Sequence, residues 1–224
     1  MSSIEWNVSV GAERVSAVYE PTTVSTETAV FVCAHGAGGH MSDRGMLTTA
    51  QTQRDAGLGV VRFNFLYKQK GSGRPDAMPT LMQTTAAVVA SVRERLSPIR
   101  LLIGGRSMGG RAASMLAADN FAADGLLLLA YPLHPAGQPE KLRDAHLPRI
   151  RMPVLCVNGT RDTLCTPSLM AQALTTVSDA WRMHWVEGAD HSFHVLKSSG
   201  RTDAQVMDEI SSATREWLVS VLSA

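Results

Sequence analysis

The sequence predicts an α/β protein: a mostly parallel central sheet with an antiparallel N-terminal hairpin and helices on both faces. Three observations predict it. Short continuous apolar runs recur along the chain, as strands buried on both faces require. Helix-patterned segments fill the intervals, which gives right-handed βαβ crossovers. The length of 224 residues suits one domain, 1–224, with a sizeable core.

The elements follow in order. Ile4 to Val10 and Val15 to Tyr19 alternate apolar and polar residues on either side of Gly11, which predicts the hairpin. Buried strands are expected at Ala29 to Ala34, Val60 to Phe65, Leu101 to Ile103, Leu126 to Tyr131, Val154 to Val157 and Met183 to Val186. Helices are expected over Met46 to Ala56, Leu81 to Leu96, Ala112 to Ala118, Pro167 to Val177 and Ala204 to Leu222. Two segments break the alternation. Tyr67 to Pro79, rich in Gly, Lys and Pro, is expected as a loop. Pro132 to Pro153 also holds Pro135, Pro139 and Pro148, which prevents a long helix, so a short cap or loop insertion is expected. Both follow strands, so both emerge at the carboxyl edge of the sheet, where ligands bind in open α/β folds.

Composition narrows the function. Hydrophobic residues make up 45% and charged residues 18%, the balance of a globular chain. The formal net charge is +1 and no basic cluster stands out, which argues against nucleic acid as partner. Cys33, Cys156 and Cys165 are odd in number and lack metal-type spacing, so a reducing compartment is expected. Met1 to Ser9 has no basic stretch followed by an apolar one, and the apolar run Leu126 to Ala130 is too short to span a bilayer. The expectation is a cytoplasmic monomer or homodimer with no membrane partner.

The chemical signal is Gly105-Arg106-Ser107-Met108-Gly109, directly after an apolar strand and before a helical stretch. A strand-to-helix turn this tight needs glycine at 105 and 109, and it projects the Ser107 hydroxyl. A serine hydroxyl needs a base to attack at neutral pH. The elbow resembles that of α/β-hydrolases, and the resemblance implies the chain order nucleophile, acid, histidine. His191 lies just beyond the last strand, with His194 as runner-up. Asp162 follows the strand Val154 to Val157, with Asp190 as rival. Neighbouring residues seldom face each other well enough for the orienting bond, which favours Asp162 over Asp190. Two backbone N–H groups must hold a developing oxyanion. Met108 supplies one; the glycine-rich His35-Gly36-Ala37-Gly38-Gly39 supplies the other from Ala37, with Gly38 as the alternative. His35 is expected to bond loop carbonyls. Gly36, Gly38 and Arg106 are the expected substrate contacts, and Arg106 and Arg111, in or near the turn, could attract an anionic group.

This set resembles the α/β-hydrolase superfamily in order and spacing, over essentially the whole chain. It is similar to small bacterial enzymes labelled dienelactone-hydrolase-like. It is also similar to the hydrolase-like domain of a subunit of the non-specific-lethal chromatin complex, through Arg62-Phe-Asn-Phe65, Tyr131-Pro-Leu-His-Pro135 and Lys197-Ser-Ser-Gly-Arg-Thr202. True dienelactone hydrolases use cysteine as nucleophile, where this chain has Ser107. The resemblance implies a serine hydrolase acting on a small-molecule ester, without metal or organic cofactor. A thioesterase or peptidase could share the triad, and a binding domain could retain the shell. The mixed segment around Lys141, Arg143, His146 and Arg149 disfavours long-chain lipids as substrates.

Overall fold

A computed structural model describes residues 3–24 and 27–222. Met1, Ser2, Ser25, Thr26, Ser223 and Ala224 lie outside the described residues. So do the two ends of the expected 1–224 domain and the first two positions of the Met1 to Ser9 segment.

Eight strands form one sheet among the described residues. They are β1 (Ile4–Val10), β2 (Glu13–Glu20), β3 (Ala29–Ala34), β4 (Leu58–Phe63), β5 (Leu101–Arg106), β6 (Gly125–Leu129), β7 (Val154–Gly159) and β8 (Trp181–Val186). Their order across the sheet is β1-β2-β4-β3-β5-β6-β7-β8. β1 pairs with β2, and β2 with β4, antiparallel; the remaining pairs are parallel. Gly11 turns the hairpin at φ 61°.

The helices are α1 (Arg44–Asp55), α2 (Leu66–Gln69), α3 (Met78–Leu96), α4 (Met108–Ala118), α5 (Pro167–Leu174) and α6 (Asp203–Leu222). Alternate residues of a strand face opposite ways. Val30 and Val32 of β3 therefore join the core under α3 and α4, with Val88 and Ala112. Phe31 and Cys33 join the core under α1 and α6, with Ala50 and Ile210. Both faces of the central strands are dry, and truncating a side chain as buried as Phe31 costs about 3–5 kcal/mol.

Several boundaries differ from the sequence expectation, each for a local reason. β5 runs three residues further, through Gly104 and Gly105 to Arg106, because β3 and β6 pair with it on both sides. β6 stops at Leu129, since Ala130 turns to φ 54°. β4 starts and ends two residues early, and Phe65 instead precedes the short α2, which lies at the start of the expected loop. α1 begins at Arg44 because the Asp43 carboxylate caps it, accepting the Met46 N–H at 2.8 Å. α5 ends three residues early, where the Thr175 and Thr176 hydroxyls bond back to the Gln172 and Ala173 carbonyls.

The segment Pro132 to Pro153 holds one 3₁₀ turn, Leu147–Arg149, and packs against α4. Tyr131 Oη donates to the Arg143 carbonyl at 2.7 Å, and Leu147 and Ile150 are buried.

Candidate active site

Ser107 stands between β5 and α4 at φ 49° and ψ −117°. The left-handed region costs an L-residue about 1–3 kcal/mol and persists only where the surroundings impose it. Here they do. A Cβ at Gly105 would lie 2.1 Å from the Ala34 carbonyl oxygen, and one at Gly109 would lie 2.6 Å from the same atom. Only glycine lets β5 and α4 approach β3 this closely. The Ser107 N–H donates to Leu129 O at 2.9 Å and ties the turn to β6.

The structure brings the three expected side chains together. His191 Nε2 lies 2.9 Å from Ser107 Oγ, and His191 Nδ1 lies 2.8 Å from Asp162 Oδ2. Asp162 accepts the Nδ1 proton, which leaves Nε2 as an acceptor facing the serine hydroxyl. The Asp162 side chain is fully buried, so its charge needs partners. It has them: the Leu164 N–H donates to Oδ1 at 2.8 Å and Asn158 Nδ2 donates to Oδ2 at 3.1 Å. Asn158 is itself locked between the Tyr131 N–H and Tyr131 C=O. The rivals are committed elsewhere. His194 bonds the Asp203 carboxylate at 2.9 Å, and Asp190 Oδ1 accepts the Ser192 and His194 N–H groups.

Beside the serine lies the loop after β3. Gly36 sits against it: a Cβ there would be 3.5 Å from Ser107 Cβ. The N–H groups of Ala37, Gly38 and Met108 have no protein acceptor among the described residues. The loop is held from beneath. His35 Nε2 accepts the Phe65 N–H at 3.2 Å, so Nδ1 carries the proton and donates to Gly36 O at 2.8 Å. Burial pushes the His35 pKa down to about 4, which keeps this ring neutral. Tyr67 Oη donates to Ala37 O at 2.8 Å.

A cleft of about 340 Å³ opens over Ser107, bounded by Gly36, Ala37, Gly38, Arg106 and His191. No residue of Pro132 to Pro153 lines it. It adjoins a second cleft of about 480 Å³ between α1 and α6, and Arg106 and Ser192 border both. Arg106 Nη2 donates to His191 O at 3.3 Å, and its guanidinium stacks 5.6 Å from the Phe193 ring centroid. Burial lowers its pKa, and it joins no ion pair among the described residues. The three cysteines are buried, and burial pushes their thiol pKa values up.

Sequence reasoning missed two contributors. Asn158 precedes the acid by four positions, and its place at the end of an apolar strand was the available signal. Tyr67 gave none, because its contact with Ala37 spans 30 residues of chain.

A mostly parallel sheet, a strained serine between strand and helix, and an acid and histidine on the following loops define a hydrolase of the α/β class. The family model for the alpha/beta hydrolase domain matches residues 27–219, and the chain belongs to that family. Three solved structures show the same fold. An α/β serine hydrolase without lid from Xanthomonas campestris is 20% identical, covers 99% of this chain and 96% of its own, and gives a TM-score of 0.75. A dienelactone hydrolase from Anabaena variabilis is 18% identical, with 98% and 97% covered and a TM-score of 0.74. Est1E from Butyrivibrio proteoclasticus, solved with ferulic acid bound, is 14% identical, with 98% and 100% covered and a TM-score of 0.78. Among the described residues no helix is long and apolar enough to cross a membrane.

Proposed function

We propose that this chain is a carboxylesterase for small soluble esters, working through an acyl-enzyme on Ser107. The observation that carries the proposal is the continuous bond path Ser107–His191–Asp162, at 2.9 and 2.8 Å, beside backbone N–H groups that have no acceptor among the described residues. In this scheme Ser107 Oγ attacks the ester carbonyl and His191 Nε2 takes its proton. Asp162 holds the imidazolium that forms. The Ala37 and Met108 N–H groups bind the oxyanion, each contributing about 3 kcal/mol of transition-state stabilisation. The C–O bond to the alcohol breaks, and the alcohol leaves with the proton from His191. Water then attacks the acyl-serine, gives its proton to His191, and the acid departs as Ser107 recovers that proton. Gly36, Gly38 and Arg106 contact the substrate.

The open cleft supports a substrate taken directly from solution. The Xanthomonas neighbour is described as lacking a lid, and Est1E was solved with an aromatic acid bound. The test is covalent labelling with a fluorophosphonate probe, with the labelled peptide identified by mass spectrometry, followed by a chain-length series of esters. Labelling at Ser107 and a preference for short acyl chains are expected. Equal turnover of short and very long chains overturns the substrate class. Failure to label the folded protein overturns the enzyme itself and leaves a binding domain.

A further inference from the structure

We infer that Tyr67 is a positioning residue for the oxyanion loop: its phenol gathers the Gly36 and Ala37 carbonyls and so turns the Ala37 and Gly38 N–H groups into the cleft. The inference rests on the esterase reading above and names a residue that reading does not use.

A trans peptide is planar, so the carbonyl of one residue and the N–H of the next point in opposite directions. Tyr67 Oη lies 2.8 Å from Ala37 O and 3.4 Å from Gly36 O. Both carbonyls face the phenol. The N–H groups that follow them, on Gly38 and Ala37, therefore point away from it. Both residues border the cleft over Ser107, and neither N–H has a protein acceptor among the described residues. Successive N–H groups aimed the same way form an anion-binding concavity.

The two carbonyls are not equally secured. Gly36 O also accepts from His35 Nδ1 at 2.8 Å and from the Gly39 N–H at 3.1 Å. Ala37 O has the phenol alone among the described residues. Tyr67 thus decides the orientation of the Ala37–Gly38 peptide. Glycine at 38 removes the steric barrier to turning that peptide over. A flip would replace the Gly38 N–H, the neighbour of the Ala37 donor in that concavity, by a carbonyl oxygen that opposes the negative charge the Ala37 and Met108 N–H groups are to bind.

Tyr67 is built to hold still. Its backbone N–H donates to Asp76 Oδ2 at 2.9 Å, and its ring stacks on Phe65 and packs against His35. Burial, aided by Asp76, pushes its pKa up to about 12, so the phenol remains a donor across the neutral range.

The experiment compares wild type, Tyr67→Phe and the control Tyr19→Phe, whose phenol bonds Glu27 instead. Each is assayed on an aryl ester and on the matching thionoester. Sulfur accepts hydrogen bonds weakly, so the rate ratio of the two esters reports the oxyanion donors. Tyr67→Phe is expected to lower kcat on the oxyester about tenfold with KM unchanged, and to lower the oxyester-to-thionoester ratio by a similar factor. Tyr19→Phe should leave the ratio as it is. An equal loss on both esters, or no loss, overturns the proposal. An NMR measurement separates this from failure of the esterase reading. In Ser107→Ala labelled with ¹³C at alanine carbonyls, adding Tyr67→Phe should shift the Ala37 signal upfield. If wild type turns over neither ester, the esterase reading falls while the Ala37 shift still tests the phenol's grip; an unmoved signal overturns it.

Discussion

Two serine–histidine pairs flank α4. Ser107 Oγ lies 2.9 Å from His191 Nε2 at the start of the helix, and Ser114 Oγ lies 2.8 Å from His146 Nε2 further along it. Distance does not tell them apart; the third partner does. His191 gives its Nδ1 proton to Asp162, so Nε2 is free to take the proton of Ser107. The Ser114 hydroxyl already donates to Arg111 O at 2.8 Å, so it can only accept from His146, whose Nε2 must carry the proton. The same two side chains point their protons in opposite directions. Burial, with Arg111 adding to it, lowers the His146 pKa to about 4, and among the described residues no carboxylate bonds its ring. One pair is arranged for proton transfer and the other pins Pro132 to Pro153 onto α4.

The largest test of this contrast is a pair of truncations. Ser107→Ala should lower kcat for ester hydrolysis about 10⁶-fold, while Ser114→Ala should change it less than about threefold. A p-nitrophenyl acetate assay on both purified variants decides it, and comparable losses would erase the distinction. Next comes the polarity of the imidazole. Asp162→Asn keeps the shape but offers an amide to Nδ1, which turns the ring to the wrong tautomer, and kcat should fall about 10⁴-fold. A drop below about tenfold would show that the carboxylate does not set the proton.

The smallest effect is on stability. His146 has a folded pKa of about 4 against an ordinary 6.5, and His35 behaves likewise. As pH falls through 6.5 the unfolded chain takes up these protons first. Stability is therefore full above about 6.5, declines towards 4, and stops declining on this account below that. His146→Gln should make the fall in Tm between pH 6.5 and 4 shallower and leave neutral-pH turnover unchanged. Differential scanning fluorimetry across that range reads it, and an identical slope would mean that His146 is not buried neutral.

The legible parts of this molecule were those fixed by short-range constraint. Gly105-Arg-Ser-Met-Gly109 announces itself because a strand, a turn and a helix must share five residues. Asp162 and His191 follow from strand order, since each lies on the loop after a strand. Strand ends were harder. Gly104 and Gly105 look like turn residues, and only their pairing with Cys33, Ala34, Leu127 and Leu128 makes them strand. Least legible were the supports. Tyr67 and Asn158 act through contacts that no local pattern encodes, and the proton direction at Ser114 depends on three residues spread over 35 positions, from Arg111 to His146.

Under the proposed function, the φ of 49° at Ser107 sets chemistry and durability against each other. Glycine at that position would relax the turn and keep the fold, since it alone tolerates the angle without steric cost. A library of random variants sorted for heat resistance alone should therefore enrich glycine at 107. The survivors would be sturdier proteins that have forgotten how to react.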